Sequence, residues 1–136
     1  MKKIYIAGPL FTEGERILLE KIDEICRLSG FDTYLPHRDA GLFTREEESS
    51  RKFFERDLKE IEESSLIVAI LNGQDTDSGT SWEIGYGFAK DKPVIGYISD
   101  TRKYDPRMQL NPMIFNSLES LAINIDELKK ALETKR

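Results

Sequence analysis

The sequence is poor in the residues that staple or metallate a small fold. Its one cysteine, Cys26, excludes an intrachain disulfide, and an oxidising compartment then offers no advantage. With a single histidine, His37, a structural zinc site of the common Cys/His kind is excluded. No apolar run approaches the ~20 residues that a bilayer span requires. Met1-Lys2-Lys3 opens like a signal peptide, but the apolar run behind it stops at Gly8-Pro9, short of an h-region of roughly 7–15 residues. That run reads as a strand, and the expectation is a cytoplasmic protein. Positive charge is also in deficit. Lysine and arginine number 20 against 25 acids, a net charge of −5, which argues against a nucleic-acid polymer or an anionic membrane as main partner. A small anion in one local pocket stays compatible.

What is present is enough for one core. The 136 residues are 39% hydrophobic and 33% charged, the balance of a globular chain, and the length suits one domain spanning 1–136. No repeat or linker interrupts it. Residues 3–8 read as a buried strand ending at a glycine. A helix follows over 14–29, with Ile17, Leu18, Ile22, Ile25 and Cys26 at helical spacing and Gly30 as its stop. Residues 31–35 form a short strand ended by Pro36, with His37 and Arg38 in a surface turn. A polar stretch over 38–50 runs into a helix at about 45–64, whose start, Glu46-Glu47-Glu48, reads as solvated. Phe53, Phe54, Leu58 and Ile61 share one face of that helix. Residues 65–71 are apolar on both faces, as in a central parallel strand. A helix at 80–90, a strand at 93–98, a polar loop at 99–109, a short helix at 110–118, a strand at 120–123 and a helix at 125–134 complete the chain.

Strands alternating with helices predict a doubly wound α/β fold. Five strands suggest a flavodoxin-like or Rossmann-like parallel sheet in the order 2-1-3-4-5, with helices on both faces. In such sheets ligands bind beyond the carboxyl ends of strands 1 and 3. That selects Gly8 to Phe11, Asn72 to Glu83 and Ser99 to Arg102. The second segment carries Asp77, Ser78, Gly79, Thr80 and Glu83 at a helix start. Two readings of Glu83 stand: an acid in the first turn favouring the positive helix end, or a carboxylate aimed into the cleft as nucleophile or base. Asp57 is either one acid of a solvated face or a carboxylate bordering the apolar stripe. Tyr5 is either a core tyrosine or a hydroxyl orienting a carboxylate. Gly85 and Gly87, costly inside a helix, are explained by close packing.

The sequence has no phosphate-binding glycine motif, no metal-ligand cluster and no Gly-x-Ser-x-Gly elbow. Carboxylate chemistry without metal or cofactor remains, and paired carboxylates suit cleavage at a sugar carbon.

Two segments then acquire a family likeness. Ile4-Tyr5-Ile6-Ala7-Gly8-Pro9-Leu10-Phe11 and Asp77-Ser78-Gly79-Thr80-Ser81-Trp82-Glu83-Ile84-Gly85-Tyr86-Gly87 together resemble the nucleoside 2-deoxyribosyltransferase family over nearly the whole chain. The resemblance implies that Glu83 attacks the anomeric carbon, that Asp57 protonates the departing base, that Asp77 binds sugar hydroxyls and that Tyr5 orients the nucleophile. It implies further substrate contacts from Gly8 and Pro9, from Gly79 and Thr80, and from a neighbouring subunit's Asn111, Asn116 or Ser120. The partners so implied are a deoxynucleoside, a free nucleobase and at least one more copy of the chain. Asp57 is expected to hold its proton through its apolar border and nearby Glu83.

Relatives of the same fold hydrolyse 2′-deoxynucleoside 5′-monophosphates. Asp77 and Pro9-Leu10-Phe11 depart from the phosphate-holding residues of those enzymes, and a carboxylate repels a phosphate. The favoured reading is base exchange on an unphosphorylated 2′-deoxynucleoside. The alternatives are an N-glycosidase and a non-catalytic nucleotide-binding domain.

Overall fold

A computed structural model describes residues 1–41, 47–100 and 110–136. The five strands are β1 (Lys3–Ala7), β2 (Asp32–Tyr34), β3 (Leu66–Ile70), β4 (Val94–Tyr97) and β5 (Ser120–Ala122). They form one sheet in the order β2-β1-β3-β4-β5, every pairing parallel, as the sequence predicts. The helices are α1 (Glu13–Leu28), α2 (Pro36–Asp39), α3 (Glu47–Glu63), α4 (Ser78–Ala89), α5 (Pro112–Phe115) and α6 (Ile125–Glu133).

Two-residue periodicity divides the sheet between two cores. On β1, Ile4 and Ile6 join Leu19, Ile22 and Cys26 of α1 and Leu128 and Leu132 of α6. Tyr5 and Ala7 turn the other way, toward Ile61 of α3, Ile84 of α4 and Ile114 of α5. β3 splits likewise, with Val68 on the α1/α6 face and Ile67 and Ala69 on the other. All five of its residues are buried, so burying it on both faces anchors the fold.

Several details depart from the sequence reading. Ile17 is exposed, and Leu19 takes its place in the core. Pro36 does more than end a strand: at the first position of α2 its missing N–H costs nothing. His37 and Arg38 therefore lie on a helix rather than in a surface turn. The His37 side chain is nearly buried, its Nε2 3.1 Å from Glu20. Arg38 clamps α2 to α1, its Nη1 2.8 Å from the buried Asp23 carboxylate. The helix expected at 110–118 is one turn, Pro112–Phe115. Close packing accounts for Gly87, where a Cβ would lie 2.3 Å from Ile67 Cδ1. It does not account for Gly85, which is exposed and faces open space. Most of the 99–109 loop, and the Glu46-Glu47-Glu48 run as a solvated start, fall outside the described residues.

Candidate active site

The strand register builds the site. Tyr5 of β1 points to the α3/α4 face, and Tyr34 of β2 is its direct partner in the ladder. In-register neighbours on one face sit side by side, so the two rings stack at 5.4 Å. Each hydroxyl then reaches a different helix. Tyr5 donates to Glu83 Oε2 on α4. Tyr34 donates to Asp57 Oδ1 on α3 at 2.9 Å.

Helical periodicity explains why both acids point inward. On α4, Thr80, Ile84 and Gly87 are buried, and Glu83 falls on that same i, i+3, i+4, i+7 stripe. The small Gly87 lets α4 approach β3 closely. Asp77 is the N-cap, accepting from the Thr80 N–H at 3.0 Å. Helix numbering therefore starts at Ser78, earlier than expected, and Glu83 lies in the second turn. The first turn contains no acid, so the first-turn reading of Glu83 fails, and the cap is Asp77. On α3, Asp57 lies among Phe53, Phe54, Leu58 and Ile61, all of which line one cavity with it.

That cavity has a volume of about 470 Å³, the size of a small-molecule site. Asp57, Asp77 and Glu83 supply its carboxylates, and Gly8, Pro36, Gly41 and Gly79 supply close backbone. Leu10, Phe11, Phe53, Phe54 and Trp82 form an apolar wall. Trp82 meets Phe54 edge-on at 5.6 Å and stacks on Tyr86 at 5.2 Å. Among the described residues lining it, none is cationic.

The electrostatics are those of two half-buried acids on one cavity. Burial pushes Glu83 up to about 8; the Tyr5 hydroxyl opposes that, and the charges of Asp57 and Asp77 add to it. Burial also raises Asp57, against the Tyr34 hydrogen bond and the Arg56 charge, with Glu60 adding. The expected influence of Glu83 on Asp57 runs the other way: the Asp57 charge raises Glu83. Both tyrosines are pushed up by burial and the neighbouring carboxylates, so they remain donors.

Of the residues expected from sequence, Tyr5, Asp57 and Glu83 are brought together, and Gly8, Asp77 and Gly79 line the cavity beside them. Two do not. Pro9 is buried and lines a separate cavity with Asn72 and Ser99. Thr80 is 1% exposed, its hydroxyl spent on Asp77 Oδ2 at 3.0 Å. Asn111, Asn116 and Ser120 line neither cavity. Asn111 caps α5, Asn116 donates to the Pro112 carbonyl, and Ser120 sits on the edge strand β5. Tyr34 was missed; its only signal is a tyrosine at the end of a strand that pairs with the Tyr5 strand. Among the described residues no cluster of three His, Cys, Asp or Glu side chains is placed to hold a metal, and no helix is long and apolar enough to cross a membrane.

Comparison with known proteins adds the context. Residues 4–130 match the family model for nucleoside 2-deoxyribosyltransferase. Uncharacterized proteins of Schizosaccharomyces pombe and Ureaplasma parvum are 28% identical over 114 residues and 33% identical over 102 residues. These stretches cover 78% and 68% of this chain, and the chain spans only 54% and 63% of those curated relatives. A conserved protein from Enterococcus faecalis has a similar structure, with TM-score 0.84, 23% identity and coverage of 100% of this chain and 99% of that one. A 2-deoxyribosyltransferase from Bacillus psychrosaccharolyticus gives 0.80 at 24% identity, covering 96% and 95%. A CMP N-glycosidase from Clostridium botulinum gives 0.62 at 17%, covering 97% and 99%. At these identities the structural likenesses show the shared fold.

Proposed function

The chain belongs to the nucleoside 2-deoxyribosyltransferase family, and from that premise we propose that it exchanges the bases of 2′-deoxynucleosides by a double displacement with retention. The observation that carries the reading is the pair of tyrosine-tethered carboxylates, Glu83 and Asp57, over one apolar, aromatic-walled cavity. Glu83 attacks C1′ and the C1′–N bond breaks. Asp57 gives its proton to the departing base. A second base attacks the deoxyribosyl ester, returns a proton to Asp57 and releases Glu83.

The wall of Phe11, Phe53, Phe54 and Trp82 offers faces for a planar base. Asp77, at the helix start beside Gly79, binds the sugar hydroxyls in this reading. A lining with carboxylates and, among its described residues, no cation favours an unphosphorylated nucleoside. The resting pair holds its shared proton on Glu83, whereas the reaction needs it on Asp57. The reactive form is then the minor arrangement of that one proton, and activity spans the pH window in which the pair is singly protonated. A second copy of the chain completes the site with a polar side chain from Asn111, Asn116 or Ser120. The exposed Trp82, Phe115 and Met113 are apolar surface available to such a copy.

The test is incubation with deoxyadenosine, with and without cytosine, followed by chromatography. Deoxycytidine appearing only with cytosine supports exchange, and Glu83→Ala abolishes it. Adenine release without exchange replaces transfer by hydrolysis. No turnover of nucleosides or their 5′-monophosphates leaves a binding domain. A pure monomer by gel filtration removes the shared site.

A further inference from the structure

The exchange reaction needs an acid that delivers its proton from a defined position, and Asp57 alone does not supply one. Its carboxylate sits on a helix through a side chain with two torsions, in the lining of a cavity of about 470 Å³. One feature removes that freedom. Tyr34 is 4% exposed, and its ring is held against Tyr5 by the β1–β2 register. Its hydroxyl is therefore aimed by the sheet, and it engages Oδ1 of Asp57 at 2.9 Å.

We propose that Tyr34 is a positioning residue for the leaving-group proton: by occupying Oδ1 it confines the transferable proton of Asp57 to Oδ2. This rests on the exchange reading above. The tyrosine pair then divides the labour by strand, with β1 holding the nucleophile and β2 holding the acid. The stacked rings lock the two against each other, so the separation of Glu83 and Asp57 is set by the sheet rather than by the loops. Arg56 and Glu60 on its own helix and Tyr34 from β2 act on Asp57, and the Asp57 charge in turn acts on Tyr5 from β1 and Glu83 from α4.

The experiment is Tyr34→Phe, which keeps the ring and deletes the donor. Two 2-deoxyribosides are compared: deoxyadenosine, whose base leaves with a proton, and a 4-nitrophenyl deoxyriboside, whose phenolate leaves without one. The expected result is about a tenfold fall in the ratio of kcat for deoxyadenosine to kcat for the aryl substrate, because the shift of the shared proton toward Asp57 that accompanies the lost donor frees Glu83 for both substrates alike. The acid limb of kcat/KM moves up by about one pH unit, because the ionised Asp57 loses a donor. In an Asp57→Asn background the same change adds no further loss. Equal slowing of both substrates with an unmoved limb overturns the proposal and leaves Tyr34 a packing residue.

Should Tyr34→Phe fold poorly, 3-fluorotyrosine at position 34 keeps the packing and strengthens the donor, and the limb then moves down. Carboxyl-carbon NMR of Asp57 reads the same coupling without turnover. Wild-type protein that turns over neither substrate refutes the exchange reading. The NMR shift on Tyr34→Phe then still decides whether Tyr34 controls Asp57, its absence overturning the proposal.

Discussion

Removing the Tyr5 hydroxyl tests the logic of the site most directly. Tyr5→Phe keeps the ring on Tyr34 but takes away the donor that favours ionised Glu83. A hydrogen bond to a charged group contributes roughly 1.5–3 kcal/mol, and 1.36 kcal/mol corresponds to one pH unit of titration. Glu83, already held at about 8 by burial, then rises by a further one to two units. Two consequences follow from the shared proton. The alkaline limb of kcat/KM, where the pair gives up its last proton, moves from near 8 to roughly 9–10. The plateau falls by about 10- to 100-fold, because the proton must leave a more basic Glu83 to reach Asp57. The assay is base exchange from deoxyadenosine to cytosine between pH 5 and 10, with thermal melts to exclude unfolding. A loss of that size with an alkaline limb still near 8 refutes the reasoning, because Tyr5 would then not act through the ionisation of Glu83.

Glu83→Gln abolishes exchange and stabilises the fold at neutral pH. The folded carboxyl titrates near 8 against an ordinary value of 4.5, so the native state binds the extra proton and stability falls as pH rises through that window. The penalty is on the order of 3–5 kcal/mol above pH 8; melts at pH 5 and pH 8 should differ in wild type and converge in the variant. Gly85→Ala raises Tm by the helix-propensity gain of about 1 kcal/mol, since its Cβ enters open space. Gly87→Ala lowers Tm, since its Cβ meets the buried Ile67 side chain and overpacking costs roughly 1–3 kcal/mol. Arg38→Ala strips one of two arginines from buried Asp23 and should cost about 1–2 kcal/mol in urea unfolding. Because α2 carries Pro36 into the cavity wall, KM should rise more than kcat falls.

Much of this architecture is legible in the chain. The 65–71 apolar run, the strand–helix alternation and the glycine and proline stops specify a parallel sheet, because burial on both faces leaves no other use for such strands. The Asp77–Gly87 segment identifies the family, and Glu83 on the Thr80–Ile84–Gly87 stripe is an acid on a core-facing helix edge. Spacing also brings Asp57 to the border of the Phe53–Ile61 stripe. Sequence alone does not say whether such an acid is solvated or buried, since a helix turns any residue toward whatever packs on it. Only the tertiary structure decides that Tyr34, 23 residues from Asp57 along the chain, donates to it. Only the β1–β2 register makes Tyr5 and Tyr34 neighbours. The same holds for the capping of Thr80 by Asp77 and for the seat of Pro9 in another cavity. Local pattern governs which elements form and which face is apolar; the chemistry depends on distances between elements, and those arise only when the sheet is assembled.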